Sequence, residues 1–286
     1  MRILVTGRNG QLGSEINKIS LKFDFDWIFL SSQEFDISNL KNIYENLDTI
    51  SPDIIVNCAA FTSVDGAEDN FESANIINHK SINLIAKWCN LNNCKLLHIS
   101  TDYVYEGNTN IPIKEEYPTN PVNNYGKTKL LGDLSCIDYN PSSIIIRTSW
   151  LYSSFGDNFV KKMIYLMSKN VEIDVVNDQI GSPTYAADLA KIIVNIIDTK
   201  KWKSGIYHYS NLGEISWFDL AKDIKHICGF TNAKINSISS KEYYIKVKRP
   251  NYSVLDNSKI KKVYKFKQLD YKDRLKECIK TINYES

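Results

Sequence analysis

The order of short apolar runs and amphipathic runs predicts an α/β fold: a doubly wound parallel sheet followed by a smaller, mixed α/β unit. Three observations carry that reading. A glycine-rich turn directly follows the first strand, strand and helix patterns alternate through the first half, and chemically capable residues fall at the carboxyl ends of the predicted strands.

The run Arg2–Thr6 is short, apolar and β-branched, and it ends in Gly7-Arg8-Asn9-Gly10-Gln11-Leu12-Gly13. Beyond the turn, Leu12, Ile16 and Ile19 share one helical face. A strand over Asp26–Leu30 is followed by a helical stretch at 38–47, and Pro52 opens a third strand at 53–57, a position that suits proline. A long helix over 73–90 leads to a strand at 95–100, and the helix carrying Tyr125 and Lys129 precedes a strand at 143–147. Such alternation requires right-handed crossovers between parallel strands, with ligands beyond the strands' carboxyl ends. Gly7, Asn57-Cys58-Ala59-Ala60, Ser100-Thr101 and Arg147-Thr148-Ser149-Trp150 all occupy those ends. After residue 150 helical patterns appear at 156–168, 186–198, 216–228 and 271–282, with strand-like runs at 172–176 and 205–209. Residues 1–149 are therefore expected to form a dinucleotide-binding Rossmann domain. Residues 150–286 are expected to form mainly a substrate-binding lid, with some segments returning to the first domain.

At 286 residues, 43% hydrophobic and 24% charged, the chain has an ordinary globular composition. Lys plus Arg outnumber Asp plus Glu by 35 to 33, which gives no reason to expect nucleic acid or an acidic membrane surface as a partner. No apolar stretch approaches the roughly 20 residues that span a bilayer, and no signal-peptide pattern opens the chain. Six cysteines show no Cys-x-x-Cys pair and no histidines at ligand spacing, so free buried thiols, no metal and a cytoplasmic setting are expected.

The glycine turn has the context a phosphate-binding loop requires, although its spacing is G-x-x-G-x-x-G. Gly7 permits the tight turn, Gly10 lets the backbone approach a pyrophosphate, and Gly13 lets the helix pack on the strand, with the helix N-terminus facing the phosphates. A glycine-rich βα turn with no ligand is the plain alternative. In Asn124-Tyr125-Gly126-Lys127-Thr128-Lys129, a tyrosine and a lysine four apart share a helix face. An ammonium beside a phenol lowers the phenol's pKa, and a phenol so poised exchanges protons at neutral pH. The Thr101 hydroxyl is then placed to hold the oxygen that Tyr125 protonates. Alone, a Tyr-x-x-x-Lys pair is most often a solvated helix face. Here it gains weight from the dinucleotide signature upstream.

These runs resemble the extended short-chain dehydrogenase/reductase superfamily and, within it, the dTDP-4-dehydrorhamnose reductases. The segments that carry the likeness are 5–13, 52–65, 100–107, 121–132, 147–152 and 177–184, with Ser100-Thr101-Asp102-Tyr103-Val104 and Arg147-Thr148-Ser149-Trp150 the most specific. The resemblance implies NAD(P)H-dependent reduction of the C4 keto group of dTDP-4-dehydro-L-rhamnose for cell-surface polysaccharide synthesis. It implies Tyr125 as proton donor, Lys129 as holder of the nicotinamide ribose, and Thr101 as the hydrogen-bond partner of the reacting oxygen. Gly7, Arg8, Gly10, Gln11, Leu12, Gly13, Asp36, Ile37, Ala59, Ala60, Phe61, Thr62, Ile99, Tyr125 and Lys129 would hold the cofactor. Thr101, Asp102 and Trp150 would meet the sugar nucleotide. Lid candidates for the pocket are Gln179, Ser182, Pro183 and Arg249. Two departures stand out. Cys58 replaces the family's alanine, and Ala187 stands where some members carry a glutamate tied to a metal-bridged dimer, although Glu15 is retained. No such metal bridge is expected, and a homodimer is left open.

The end of the second strand reads Leu30-Ser31-Ser32, with no carboxylate to repel a phosphate, and Arg8 is available to pair with a 2′-phosphate. NADPH is therefore expected ahead of NADH, with NADH also accepted. A 4,6-dehydratase needs a carboxylate pair after the threonine, whereas Tyr103 follows Asp102 here. Another sugar-nucleotide 4-ketoreductase or an epimerase stays open as an alternative, as does a non-catalytic regulatory subunit like that of methionine adenosyltransferase. Retention of Thr101, Tyr125 and Lys129 argues against the last.

Overall fold

The computed structural model describes residues 1–169, 172–199, 201–243 and 247–282. In chain order the first half contains β1 (Arg2–Thr6), α1 (Gln11–Ser20), β2 (Asp26–Leu30), α2 (Ile43–Ile50), β3 (Ile54–Asn57), α3 (Val64–Asp69), α4 (Phe71–Asn75), α5 (Ser81–Leu91), β4 (Lys95–Thr101), α6 (Asn124–Tyr139) and β5 (Ile144–Thr148). The second half contains β6 (Leu151–Tyr152), α7 (Phe159–Ser168), β7 (Ile173–Val176), β8 (Ile180–Gly181), β9 (Thr184–Tyr185), α8 (Ala186–Asp198), β10 (Gly205–Tyr209), β11 (Ile215–Ser216), α9 (Trp217–Cys228), β12 (Ile235–Ile238), α10 (Ser258–Tyr264) and α11 (Tyr271–Thr281).

Six strands form one parallel sheet in the order β10-β5-β4-β3-β1-β2, the doubly wound architecture that the alternation predicts. Strands buried on both faces read as near-continuous apolar runs; β3 and β5 are buried throughout, with their polar residues confined to the carboxyl ends. Successive side chains point to opposite faces. Ile3, Val5, Val56 and Ile146 pack under α1 and α8, while Leu4, Ile55, Leu96 and Ile145 pack with residues of α2 and α5. The run at 205–209 is the edge strand of this sheet, in parallel register with β5 after the α8 crossover. A second core lies among α7, α9, α11 and β7, where Met163, Ile164, Leu220, Ile224 and Leu275 meet.

Two helices differ from the sequence expectation. The stretch at 38–47 begins as a 3₁₀ turn, Leu40–Asn42, and becomes α-helical only at Ile43. The stretch at 73–90 is broken by a π turn, Ile76–Lys80, between α4 and α5. Such turns collect at functional sites because the extra residue redirects a side chain. Here the redirected residue is Asn78, 1% exposed. Its Oδ1 accepts from the Phe61 N–H at 2.9 Å, and its Nδ2 donates to the Phe61 carbonyl at 3.0 Å and the Thr128 hydroxyl at 3.1 Å. The loop after β3 is thereby fastened to α6. Among the described residues no helix is long and apolar enough to cross a membrane. None of the six cysteines forms a disulfide; Cys89, Cys94, Cys136 and Cys278 are buried, while Cys58 and Cys228 are partly exposed.

Candidate active site

A cleft of about 720 Å³ opens at the carboxyl ends of β1, β3, β4 and β5. Its first wall is the glycine turn. Gly7 has φ +72°, and a Cβ there would stand 2.9 Å from the Ala59 nitrogen, so the left-handed turn and the close approach of two backbones both require glycine. A Cβ on Gly13 would lie 2.3 Å from the Gly7 carbonyl oxygen. Gly10, Gln11, Leu12 and Gly13 line the cleft, and the first N–H groups of α1 have no helical partners of their own. That arrangement receives an anion.

The floor is a buried polar latch. The Thr6 hydroxyl donates to Asn57 Oδ1 at 2.7 Å and accepts from the Ala59 N–H at 3.2 Å. Asn57 Nδ2 lies 3.1 Å from His98 Nδ1. Three adjacent strands are thus tied together, and Ala59, Ala60 and Thr62 run along the cleft above them. Asp36 and Ile37 line its far end. The Asp36 Oδ1 is occupied by the N–H and hydroxyl of Ser38.

The opposite wall brings Thr101, Asp102, Tyr125 and Lys129 together with Ile99. Asn123 caps α6 by accepting from the Gly126 N–H at 2.8 Å, and the helix then presents Tyr125 and Lys129 one turn apart. Lys129, 2% exposed, donates from Nζ to the Ile99 carbonyl at 2.6 Å. Burial pulls this ammonium down to about 8, partly offset by the Asp133 carboxylate. The Tyr125 phenol is hydrogen-bonded to Thr101, and its ring meets Tyr103 edge-on at 5.6 Å. Burial pushes the phenol up to about 12, with Thr101 pulling down and Asp102 and Asp133 pushing up. This corrects the expectation that Lys129 depresses it. The phenol is therefore protonated at neutral pH, the form that donates. The Thr101 hydroxyl donates to Asp102 Oδ1 at 3.1 Å and accepts from the Tyr103 N–H at 3.2 Å. Burial raises the Asp102 carboxyl to about 7 against its hydrogen bonds to Ser253 and Thr101.

Trp150 closes the cleft with φ +47°, an unusual conformation for a bulky residue. Its indole stacks on Trp217 with centroids 3.5 Å apart and planes 7° from parallel. A Cβ on Gly181 would come within 2.5 Å of that indole. Trp217 also lines the cleft, and sequence reasoning missed it because only tertiary packing brings α9 to residue 150.

Some expected residues stand apart. Arg8 is not on the cleft wall; its Nη1 lies 3.5 Å from Glu34 Oε1. Phe61 is also absent from the lining, its backbone being engaged by Asn78. In the lid, Gln179 donates to Ser240, Ser182 donates to the Gly213 carbonyl, and Arg249 pairs with Asp65 at 3.1 Å. None of these three, nor Pro183, lines the cleft. The expected absence of a carboxylate at the end of β2 is overturned. The chain turns back after Ser31, and Glu34 sits on that residue's N–H and hydroxyl, both at 2.8 Å.

The sequence pattern of the RmlD substrate binding domain family matches residues 1–284. The dTDP-4-dehydrorhamnose reductase of Aggregatibacter actinomycetemcomitans is 34% identical over 290 residues, covering 96% of this chain and 97% of that protein. A dTDP-4-keto-6-deoxy-D-glucose reductase of Streptomyces niveus is 34% identical over 255 residues, covering 89% and 88%. The crystal structure of a dTDP-4-dehydrorhamnose reductase from Bacillus anthracis in complex with NADP superposes with a TM-score of 0.92 at 35% identity, covering 97% and 98%. With the likeness spanning both the sheet and the segments beyond it, this chain belongs to the RmlD substrate binding domain family.

Proposed function

We propose that the chain is an NAD(P)H-dependent 4-ketoreductase that converts dTDP-4-dehydro-L-rhamnose to dTDP-L-rhamnose, with NADPH the preferred reductant. The observation that carries this reading is the meeting of Thr101, Tyr125 and Lys129 across one cleft from a glycine turn that only glycine can make. The cradle at Gly7 and Gly13 and the free N–H groups of α1 suit a pyrophosphate. Ala59, Ala60, Thr62 and Ile99 would flank the dinucleotide, Asp36 and Ile37 its adenine, and Lys129 its nicotinamide ribose. When bound, the reduced nicotinamide supplies a hydride to C4. Tyr125 gives its phenolic proton to the C4 oxygen as negative charge develops there, and Thr101 holds that oxygen by a hydrogen bond. Asp102 and Trp150 position the sugar.

Incubation with dTDP-4-dehydro-L-rhamnose and NADPH, followed by absorbance and by NMR of the product, is expected to show one NADPH consumed per sugar reduced. Conversion without net NADPH loss would make the chain an epimerase instead. Faster turnover of dTDP-4-keto-6-deoxy-D-glucose would reassign the sugar. A stacked aromatic pair contributes roughly 0.5–1.5 kcal/mol beyond area burial. Trp217→Ala is therefore expected to raise KM for the sugar nucleotide about 2- to 12-fold by freeing Trp150, with KM for NADPH unmoved. Equal rises in both constants would remove the stack from the sugar site.

A further inference from the structure

We propose that Glu34 sets this chain's choice between a 2′-hydroxyl and a 2′-phosphate on a dinucleotide, by competing with the phosphate for Arg8 and Ser31. The inference rests on the dinucleotide-binding part of the function proposed above and is independent of the sugar chemistry. In doubly wound dinucleotide folds the adenosine ribose lies beyond the second strand, where an acidic residue accepts the 2′-hydroxyl or an arginine accommodates the 2′-phosphate. Here both residue types are present at that place, and they engage each other. The Arg8 N–H donates to the Leu30 carbonyl at 3.1 Å, which ties the glycine turn to the end of β2. Glu34 Oε2 accepts from the N–H and hydroxyl of Ser31, each at 2.8 Å, while its Oε1 lies 3.5 Å from Arg8 Nη1. Ser32, inside this turn, and Phe35, directly after it, line the cleft.

The chemistry of the two ligands then separates them. A ribose hydroxyl carries a proton to donate, so Glu34 can accept it with the Arg8 pair intact. A phosphate has only acceptors and carries negative charge, so it needs the three donors that Glu34 occupies: the Ser31 N–H, the Ser31 hydroxyl and the Arg8 guanidinium. Ser31 is buried, which fixes its donors, whereas the Glu34 and Arg8 side chains are 45% and 47% exposed and free to turn outward. One cluster just behind the Ser32 and Phe35 lining thus serves both cofactors, closed for the hydroxyl and open for the phosphate, with Glu34 as the competitor.

The test is direct binding of NADPH and NADH to the full chain without sugar, read from nicotinamide fluorescence. Glu34→Gln keeps the shape, removes the negative charge, and is expected to raise the preference for NADPH over NADH at least tenfold in Kd. Arg8→Ala is expected to shift the preference about tenfold the other way, and it leaves the Ser31 turn untouched should Glu34→Gln fold poorly. A preference within twofold of wild type in both variants would overturn the proposal. So would equal weakening of both cofactors by Glu34→Gln with a fall in Tm, which marks a turn cap only. Variants that shift as expected in a protein unable to reduce any 4-keto sugar would leave the selector standing and sink the reductase.

Discussion

Tyr125→Phe is expected to lower kcat by roughly 10²–10⁴-fold, the range that general acid catalysis contributes, while leaving NADPH affinity within about twofold. The phenylalanine keeps the ring against Tyr103 and removes only the oxygen that Thr101 holds. Burial keeps the phenol protonated far above neutral pH, so what the variant loses is the proton itself. The nearby Lys129 adds a pH signature. Its ammonium, pulled down to about 8 by burial, is charged below that value and loses its proton as pH rises through it. Turnover is therefore expected to fall above pH 8, with the loss absent from Lys129→Met, which has nothing to titrate there. Turnover by Tyr125→Phe within a few-fold of wild type, measured as cofactor oxidation under saturating sugar, would end the proton-donor assignment.

The parts of this machine written locally are the ones the sequence discloses. Gly7 and Gly13 announce themselves because a left-handed turn and a near-contact of backbones exclude every other side chain. Tyr125 and Lys129 do so because helical spacing alone puts them on one face. The parent sheet follows from runs of consecutive apolar residues, such as Ile144-Ile145-Ile146 of β5. What the sequence conceals depends on distant pairing. The stretch Ile235-Asn236-Ser237-Ile238 has no alternation to mark it as a strand, and it becomes one by lying parallel to β7. Trp217 reads as an amphipathic helix residue until α9 carries it onto Trp150. Glu34 looks like a loop carboxylate because strand-end reasoning stops at residue 32, whereas the turn folds it back onto Ser31. Asn78 is hidden by the π turn, since a regular helix over 73–90 would point position 78 elsewhere.

Asp133→Asn is expected to cost roughly 3–5 kcal/mol of folding stability, the penalty for leaving one member of a buried ion pair without its counter-charge. Asp133 is fully buried and Arg147 is 2% exposed, with Arg147 Nε donating to Asp133 Oδ2 at 2.9 Å. The guanidinium cannot shed its charge, and its remaining contact is to a neutral group: Nη1 donates to the Tyr105 hydroxyl at 2.6 Å. That hydroxyl in turn donates to His208 Nε2 at 2.8 Å, and His208 Nδ1 donates to the Ile113 carbonyl at 3.0 Å. Burial drives His208 down to about 3, so the imidazole is neutral and has no charge with which to replace the lost carboxylate. Urea unfolding is the measurement. Adding Arg147→Met to Asp133→Asn should recover most of the loss, because the uncompensated charge goes with it. A loss below about 1 kcal/mol in the single variant would mean that α6 is held to β5 by apolar packing alone. The same carboxylate also supports the Lys129 ammonium. Asp133→Asn should therefore move the alkaline fall in turnover to lower pH, whereas a change that merely loosens the helix would lower turnover at every pH alike.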